Sequence, residues 1–442
     1  MALVLAAAML VSLGACQPPG PAPSSIEGES TPLEQLLPEP EAPPPEPDPQ
    51  ADPPSAAPPA PSPEERQRAG ERLAPRIEEL CREYEVMGMS LVVFDCRGPF
   101  YSQNWGWAVE ETGRPVTEDT VFRVASISKA VTALLALDLA EQGKLDLHRD
   151  LTGALGVPVN NPHCPGAVIT PWHLLTHTSG IVDSQVYWNA MEGKALPPLA
   201  SVLPWSFSAC APGSCYSYSN LGMGLMAGVV EAAAGESLLD YTRREVFEPM
   251  GIDAAYSYTD IRRKEQVANI YDQGALAVNM PDWRNMNAKY AGLPLGQLYA
   301  LGHGDLFITA RDLSRFARIM AGCPREGEPV ALSPEYLRLM QEVQYQEGEG
   351  PEAVMRGLGT QITDYLVEGR RMAGHQGNAY GSICGMFFDP EDHTGFVFLT
   401  NGARGGKDET GLYDINREVA RAVYGAFFEE ETVVQSVPEQ GK

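Results

Sequence analysis

The sequence predicts a mixed α/β fold of the α+β type, with one antiparallel sheet built from strands at both ends of the chain and an inserted, mainly helical domain. Three observations carry this expectation. Period-two apolar patterns lie near residues 89–109 and return at 381–400. Ser126 to Gln142 is apolar almost all round, the signature of a helix in the centre of a protein. From Leu147 to about Met340 the chain reads as helical patches such as Pro171 to Thr176 and Leu221 to Ala234, separated by loops containing Pro and Gly.

The elements follow in order. Glu64 to Tyr84 has helical spacing of Leu73, Ile77, Leu80 and Tyr84, with Pro75 as a start or a kink. Met89 to Asp95 and Phe100 to Val109 are β-branched and aromatic strands joined by Cys96-Arg97-Gly98-Pro99. The central helix is stopped by Gly143. Gly381 to Asp389 and Gly395 to Thr400 form a second hairpin around Pro390 to Thr394, and a last helix runs from about Tyr413 to Phe427.

The ends are different in kind. Residues 1–15 are an apolar run too short to span a bilayer, which suits a signal peptide. The run closes on Leu13-Gly14-Ala15-Cys16, which resembles a lipobox. That implies lipid on Cys16, a membrane anchor, and, with Gln17 following, the outer membrane. Gln17 to Pro63 holds 18 prolines, eight acidic residues and no Lys or Arg. Such a composition cannot bury enough apolar surface to fold, so 16–63 reads as a tether of roughly 145 Å reach if extended. The folded domain is expected over 64–430, with a disordered tail at 431–442.

A net charge of −26 without a basic stripe argues against a nucleic-acid partner. With Cys16 lipidated, seven cysteines remain, so at least one is unpaired. Cys210 and Cys215 flank a turn and are able to pair, and Cys384 in an apolar run reads as a buried thiol. No His/Cys cluster suggests a metal, and no cofactor is expected.

Three short motifs carry the chemistry. Of the seven lysines, only Lys129 has a serine three residues earlier, giving Ser126-Ile127-Ser128-Lys129. On a helix that spacing puts hydroxyl and amine on one face, so the amine can take the hydroxyl proton. The second is Tyr218-Ser219-Asn220, where Lys129 nearby would lower the tyrosine pKa and Asn220 would bind lysine and substrate carbonyl together. Tyr187-Trp188-Asn189 also fits this pattern, but the turn leading into a helix favours Tyr218. The third is Gly374-His375-Gln376-Gly377, placed just before the strand near Gly381. There Gly377 would let substrate approach and the Asn378 amide would join that of Ser126 as an oxyanion hole. His393-Thr394-Gly395 is a second match, expected to face solvent. His177 and Asp305 read as structural, bonded to backbone.

These motifs, in this order, resemble the serine β-lactamases, D-alanyl-D-alanine peptidases and related esterases. Val121 to Ala125, Ile169 to Gly180 and Gly302 to Leu313 extend the resemblance to roughly residues 70–428. The tyrosine in the second motif is similar to class C enzymes. His375 stands where β-lactamases usually carry lysine, a weaker anion site. The resemblance implies an acyl-enzyme hydrolase with Ser126, Lys129 and Tyr218 catalytic and Asn220, His375, Gly377 and Asn378 binding a small ester, peptide or peptidoglycan-derived substrate. A weak β-lactamase or transpeptidase is the alternative enzyme, and a non-catalytic lipoprotein that binds peptidoglycan or protein is the alternative class. The loop from Val182 to Phe207 is expected to shape the pocket.

Overall fold

A computed structural model describes residues 62–283 and 292–428. The signal run, Cys16, the tether up to residue 61 and the tail at 431–442 lie outside the described residues. Among the described residues no helix is long and apolar enough to cross a membrane.

Helix α1 (Pro63–Glu83) begins at a reciprocal cap, in which the Ser62 hydroxyl takes the Glu65 N–H and the Glu65 carboxylate takes the Ser62 N–H. Pro75 sits inside the helix and does not start it. Strands β1 (Gly88–Asp95) and β2 (Gly98–Val109) form the expected hairpin, followed by the short β3 (Arg114–Pro115). After β4 (Val121–Arg123) comes the central helix α2 (Ser128–Glu141), then α3 (Asn220–Ala234), the small hairpin β5 (Ile270–Asp272) and β6 (Ala275–Val278), β7 (Phe307–Thr309) and α4 (Ala310–Met320). The C-terminal part adds β8 (Tyr345–Glu347), β9 (Val354–Gly357), β10 (Thr360–Thr363), β11 (Met372–Ala379), β12 (Ser382–Asp389), β13 (Thr394–Thr400) and α5 (Asp414–Phe427).

Nine strands make one sheet in the order β3-β2-β1-β13-β12-β11-β10-β9-β8. The two termini meet at its centre, where β1 runs antiparallel to β13 from Met89 opposite Thr400 to Phe94 opposite Gly395. Every residue of β1, β12 and β13 is buried, because the sheet is covered on both faces. Alternation along β1 sends Leu91 and Val93 into a core shared with α1 and α5, and Val92 and Phe94 into one shared with α2 and α4. Disulfides join Cys210 to Cys215 and Cys96 to Cys323, the second tying the β1–β2 turn to the end of α4. Cys81, Cys164 and Cys384 are free thiols, with Cys384 buried as expected.

Candidate active site

Ser126 does not begin the central helix as its spacing suggests. It occupies a 3-10 turn, Ala125–Ile127, entered through Ala125 at φ 49°, and α2 starts two residues later. A non-glycine residue at positive φ is strained and persists only when its surroundings hold it. Here Val124 N–H donates to Leu306 O (2.9 Å), Ser128 Oγ donates to Ala125 O (2.6 Å), and Leu306 N–H donates to Ser128 Oγ (3.0 Å). Strand β4 pairs with β7 directly beside this turn. The segments around residues 121–125 and 302–313 are therefore one structural unit.

Gly377 completes the clasp. A Cβ there would lie 2.5 Å from Val124 O and 3.5 Å from the Ala125 side chain. The glycine is thus required by the close approach of β11 to the serine turn, not by substrate. The third motif also lies within β11, not before a strand, so its side chains alternate in facing. Gln376 is held by Gln361, Gly411, Tyr413 and Asn416.

Below the turn, Arg123 donates from Nε (3.0 Å) and Nη2 (2.9 Å) to Asp305 Oδ1, with both side chains buried. Asp305 is structural, as expected, but its partner is this guanidinium rather than backbone. Removing one member of a buried pair strands the other charge at a cost of about 3–5 kcal/mol. Asp305→Ala is therefore expected to lower the urea unfolding free energy by about that amount at unchanged m. A loss below about 1 kcal/mol would show that the pair is not a keystone of the turn.

Lys129, the second residue of α2, is fully buried. Its Nζ contacts Ser126 Oγ at 3.0 Å, Asn220 Oδ1 at 2.8 Å and His303 O at 2.5 Å. The backbone of His303 thus enters the site, a role its sequence does not advertise. Burial favours the neutral amine and, against the pull of Asp183, brings Lys129 down to about 7.

Tyr218 stands in extended chain just before α3, whose N-cap is Ser219. Its ring lies 4.5 Å from the His177 ring and 5.0 Å from Lys129 Nζ, and it shares the cavity with Ser126. The expected lowering of its pKa is not what the structure gives. Burial of the hydroxyl pushes Tyr218 up to about 12, outweighing the lowering by Ser126 and Arg356. The residue as a whole is 36% exposed, which softens that desolvation without reversing it. His177, at φ 59°, accepts the Ser219 N–H on Nδ1 at 3.3 Å and so seats the tyrosine segment. The competing Tyr187 is completely buried in the core and does not line the cavity. His393 is half-buried, with its Nδ1 2.5 Å from Ala321 O, so that motif packs against the end of α4 instead of facing solvent.

A cavity of about 540 Å³ is lined by Ser126, Tyr218, Asn220, His375 and Asn378 together. All the expected site side chains but Lys129, which lies beneath, thus face one space, and Gly377 lies behind it. His375 is 5% exposed and held well below the usual histidine range by burial and by Lys129, so its ring is neutral. Nδ1 lies 2.6 Å from Gln376 O, which can only accept, so the proton sits on Nδ1. The walls come from 351–356, 361–365 and 407–413, not from the loop 182–207. Two cations on those walls were not legible in the sequence. Arg356 lies 4.9 Å from the Tyr216 ring and 5.9 Å from the Tyr218 ring, with Nε buried and unpartnered. Lys407 lies 5.1 Å from the Tyr413 ring, its pKa lowered by burial and by Arg356. Among the described residues neither meets a carboxylate within ion-pair distance.

The nine-stranded antiparallel sheet thus carries a buried lysine beneath a serine turn, with a tyrosine-asparagine segment opposite. The chain belongs to the Beta-lactamase family, whose model matches residues 71–421. It is 28% identical over 247 residues to Penicillin-binding protein 4 of Amycolatopsis lactamdurans, covering 55% of this chain and 62% of that protein. It is 33% identical over 206 residues to Esterase EstB of Burkholderia gladioli, covering 41% and 50% respectively. The chain thus spans about half the length of these curated relatives. Among solved structures, the octameric penicillin-binding protein homologue from Pyrococcus abyssi superposes with a TM-score of 0.62 at 23% identity, covering 80% of this chain and 76% of that one. EstCE1, a hydrolase with promiscuous acyltransferase activity, gives 0.63 at 22% identity, covering 81% and 100%. These likenesses support the fold.

Proposed function

We propose that the protein is a serine hydrolase that opens an ester, or an amide next to a D-amino acid, through an acyl-enzyme on Ser126. The observation that carries this is the 3.0 Å contact between Ser126 Oγ and a buried Lys129 whose amine is brought to about 7. A neutral amine in that place is a base, whereas Tyr218 near 12 keeps its proton and serves as a donor and relay.

Ser126 Oγ attacks the substrate carbonyl as its proton passes to Lys129 Nζ, and the carbonyl oxygen becomes an oxyanion held by the Ser126 and Asn378 backbone amides. The carbon–oxygen or carbon–nitrogen bond then breaks, and the proton goes by way of Tyr218 to the leaving group. Water then attacks the acyl carbon as its proton passes to Lys129, and the acyl–Oγ bond breaks as that proton returns to Ser126 and the acid leaves. Asn220 holds Lys129 through Oδ1. His375, being neutral, is no anion site, but Arg356 and Lys407 bring positive charge to the same cavity. Their presence favours a substrate carrying an acid group, which keeps a weak β-lactamase or transpeptidase as the second reading.

The apolar run ending at Cys16 and the proline-rich stretch after it support an exported, lipid-anchored enzyme working in the bacterial cell envelope.

The test is the pH dependence of p-nitrophenyl butyrate hydrolysis, set beside nitrocefin and an acyl-D-alanyl-D-alanine peptide. Below its pKa Lys129 is protonated and cannot accept the serine proton. Hence kcat/KM is expected to rise about tenfold per pH unit up to about 7 and then level off. A limb near 4, or no turnover of the ester or the peptide, would refute the assignment.

A further inference from the structure

Asp183 belongs to none of the three motifs and takes no part in the proton path above. It follows the Gly180-Ile181-Val182 turn, and its carboxylate gathers four donors. Oδ2 accepts from Asn220 N–H at 3.1 Å and from Asn220 Nδ2 at 2.8 Å. Oδ1 accepts from Ser219 Oγ at 3.0 Å and from Leu221 N–H at 2.9 Å.

Two consequences follow from donor and acceptor chemistry alone. A carboxylate only accepts, so the Asn220 amide must turn its NH2 to Asp183 and its oxygen to Lys129 Nζ, which it meets at 2.8 Å. The opposite rotamer would set oxygen against carboxylate and NH2 against the lysine. The same carboxylate also takes the first N–H groups of α3, where negative charge is favoured, and so fixes the point at which the chain passes from Tyr218 into the helix.

We propose that Asp183 is a positioning residue that sets the direction of the Asn220 amide and, through it, the seat of Lys129 against Ser126. This rests on the Ser126–Lys129 reading. The charged groups around Lys129 are Asp183 across Asn220, the Arg123–Asp305 pair from β4 and the residues before β7, and Arg356 from β9. His177, His303 and His375 also face it, each held neutral by burial. Asp183 is thus a negative charge directly coupled to the asparagine that holds the lysine, and it raises the lysine's proton affinity against burial.

The test uses the full chain with p-nitrophenyl butyrate and a fluorophosphonate. Asp183→Asn is expected to lower kcat by about ten- to a hundredfold, as a small misplacement of a reacting group does. KM should change by less than about twofold, because the substrate contacts remain. The acid limb should move to lower pH, since loss of the negative charge lets Lys129 deprotonate earlier. In an Asn220→Ala background the same change should cost almost nothing more, because both act through one contact. Should Asp183→Asn fail to fold, Asp183→Glu carries the test: it keeps the charge but displaces the carboxylate, so kcat falls while the limb stays. A folded Asp183→Asn with the wild-type limb and kcat, or full additivity with Asn220→Ala, would overturn the proposal and leave Asp183 a helix cap. For Asp183→Glu the overturning result is wild-type kcat. If wild type itself neither hydrolyses the ester nor reacts with the fluorophosphonate, the hydrolase reading fails first.

Discussion

Ser126→Ala is expected to lower p-nitrophenyl butyrate turnover by at least about 10⁴-fold while leaving the fold intact. In nucleophile–base units the loss of the nucleophile alone costs about as much as the loss of the whole unit. Alanine removes one oxygen from a half-buried position and leaves the bonds of Ser128, Leu306 and Val124 that hold the turn. Thermal unfolding should therefore shift by only a few degrees. Retention of more than a few per cent of activity would mean that the bond is broken by another group.

Lys129→Met is expected to cost about 10² to 10⁴ in kcat/KM, the usual contribution of a positioned base. Methionine matches the length and suits the apolar surroundings of α2, so the loss reads out chemistry more than folding. The acid limb near 7 should vanish with the amine. Lys129→Arg should not rescue, since a guanidinium stays protonated at any working pH and cannot take the serine proton. A Lys129→Met enzyme with the wild-type limb would locate the base elsewhere.

Much of the fold is legible because it rests on local patterning. The β1–β2 and β12–β13 hairpins and α2 follow from period and turn chemistry, and their being at opposite ends of the chain forces one sheet from both termini. The short edge strands β8 to β10 escape notice because three or four residues are too few to set a period. The preference for Tyr218 over Tyr187 rests on the turn before α3, and the fold sets Tyr218 on the cavity and Tyr187 in the core.

What the sequence conceals is whatever depends on competing long-range terms. The direction of the Tyr218 shift was read from the nearby cation alone, but burial neutralises that cation and penalises the phenolate at once. Gly377 gives no hint that it faces Val124 O, because that contact joins β11 to a turn some 250 residues earlier. Arg356, Lys407 and Asp183 are ordinary loop or strand charges until the fold carries them to the cavity or to Asn220. A signal for Asp183 did exist in the stretch Gly180-Ile181-Val182-Asp183 directly after the family-like segment, an acid in a loop that offers it a backbone to cap.

The central claim, that Ser126 is the acylated nucleophile, is tested most directly by intact-mass and peptide-mapping spectrometry of the domain after fluorophosphonate treatment. The account predicts one adduct per chain, on the peptide containing Ser126, and none in Ser126→Ala. An adduct on any other residue, or an adduct that persists in Ser126→Ala, would contradict it.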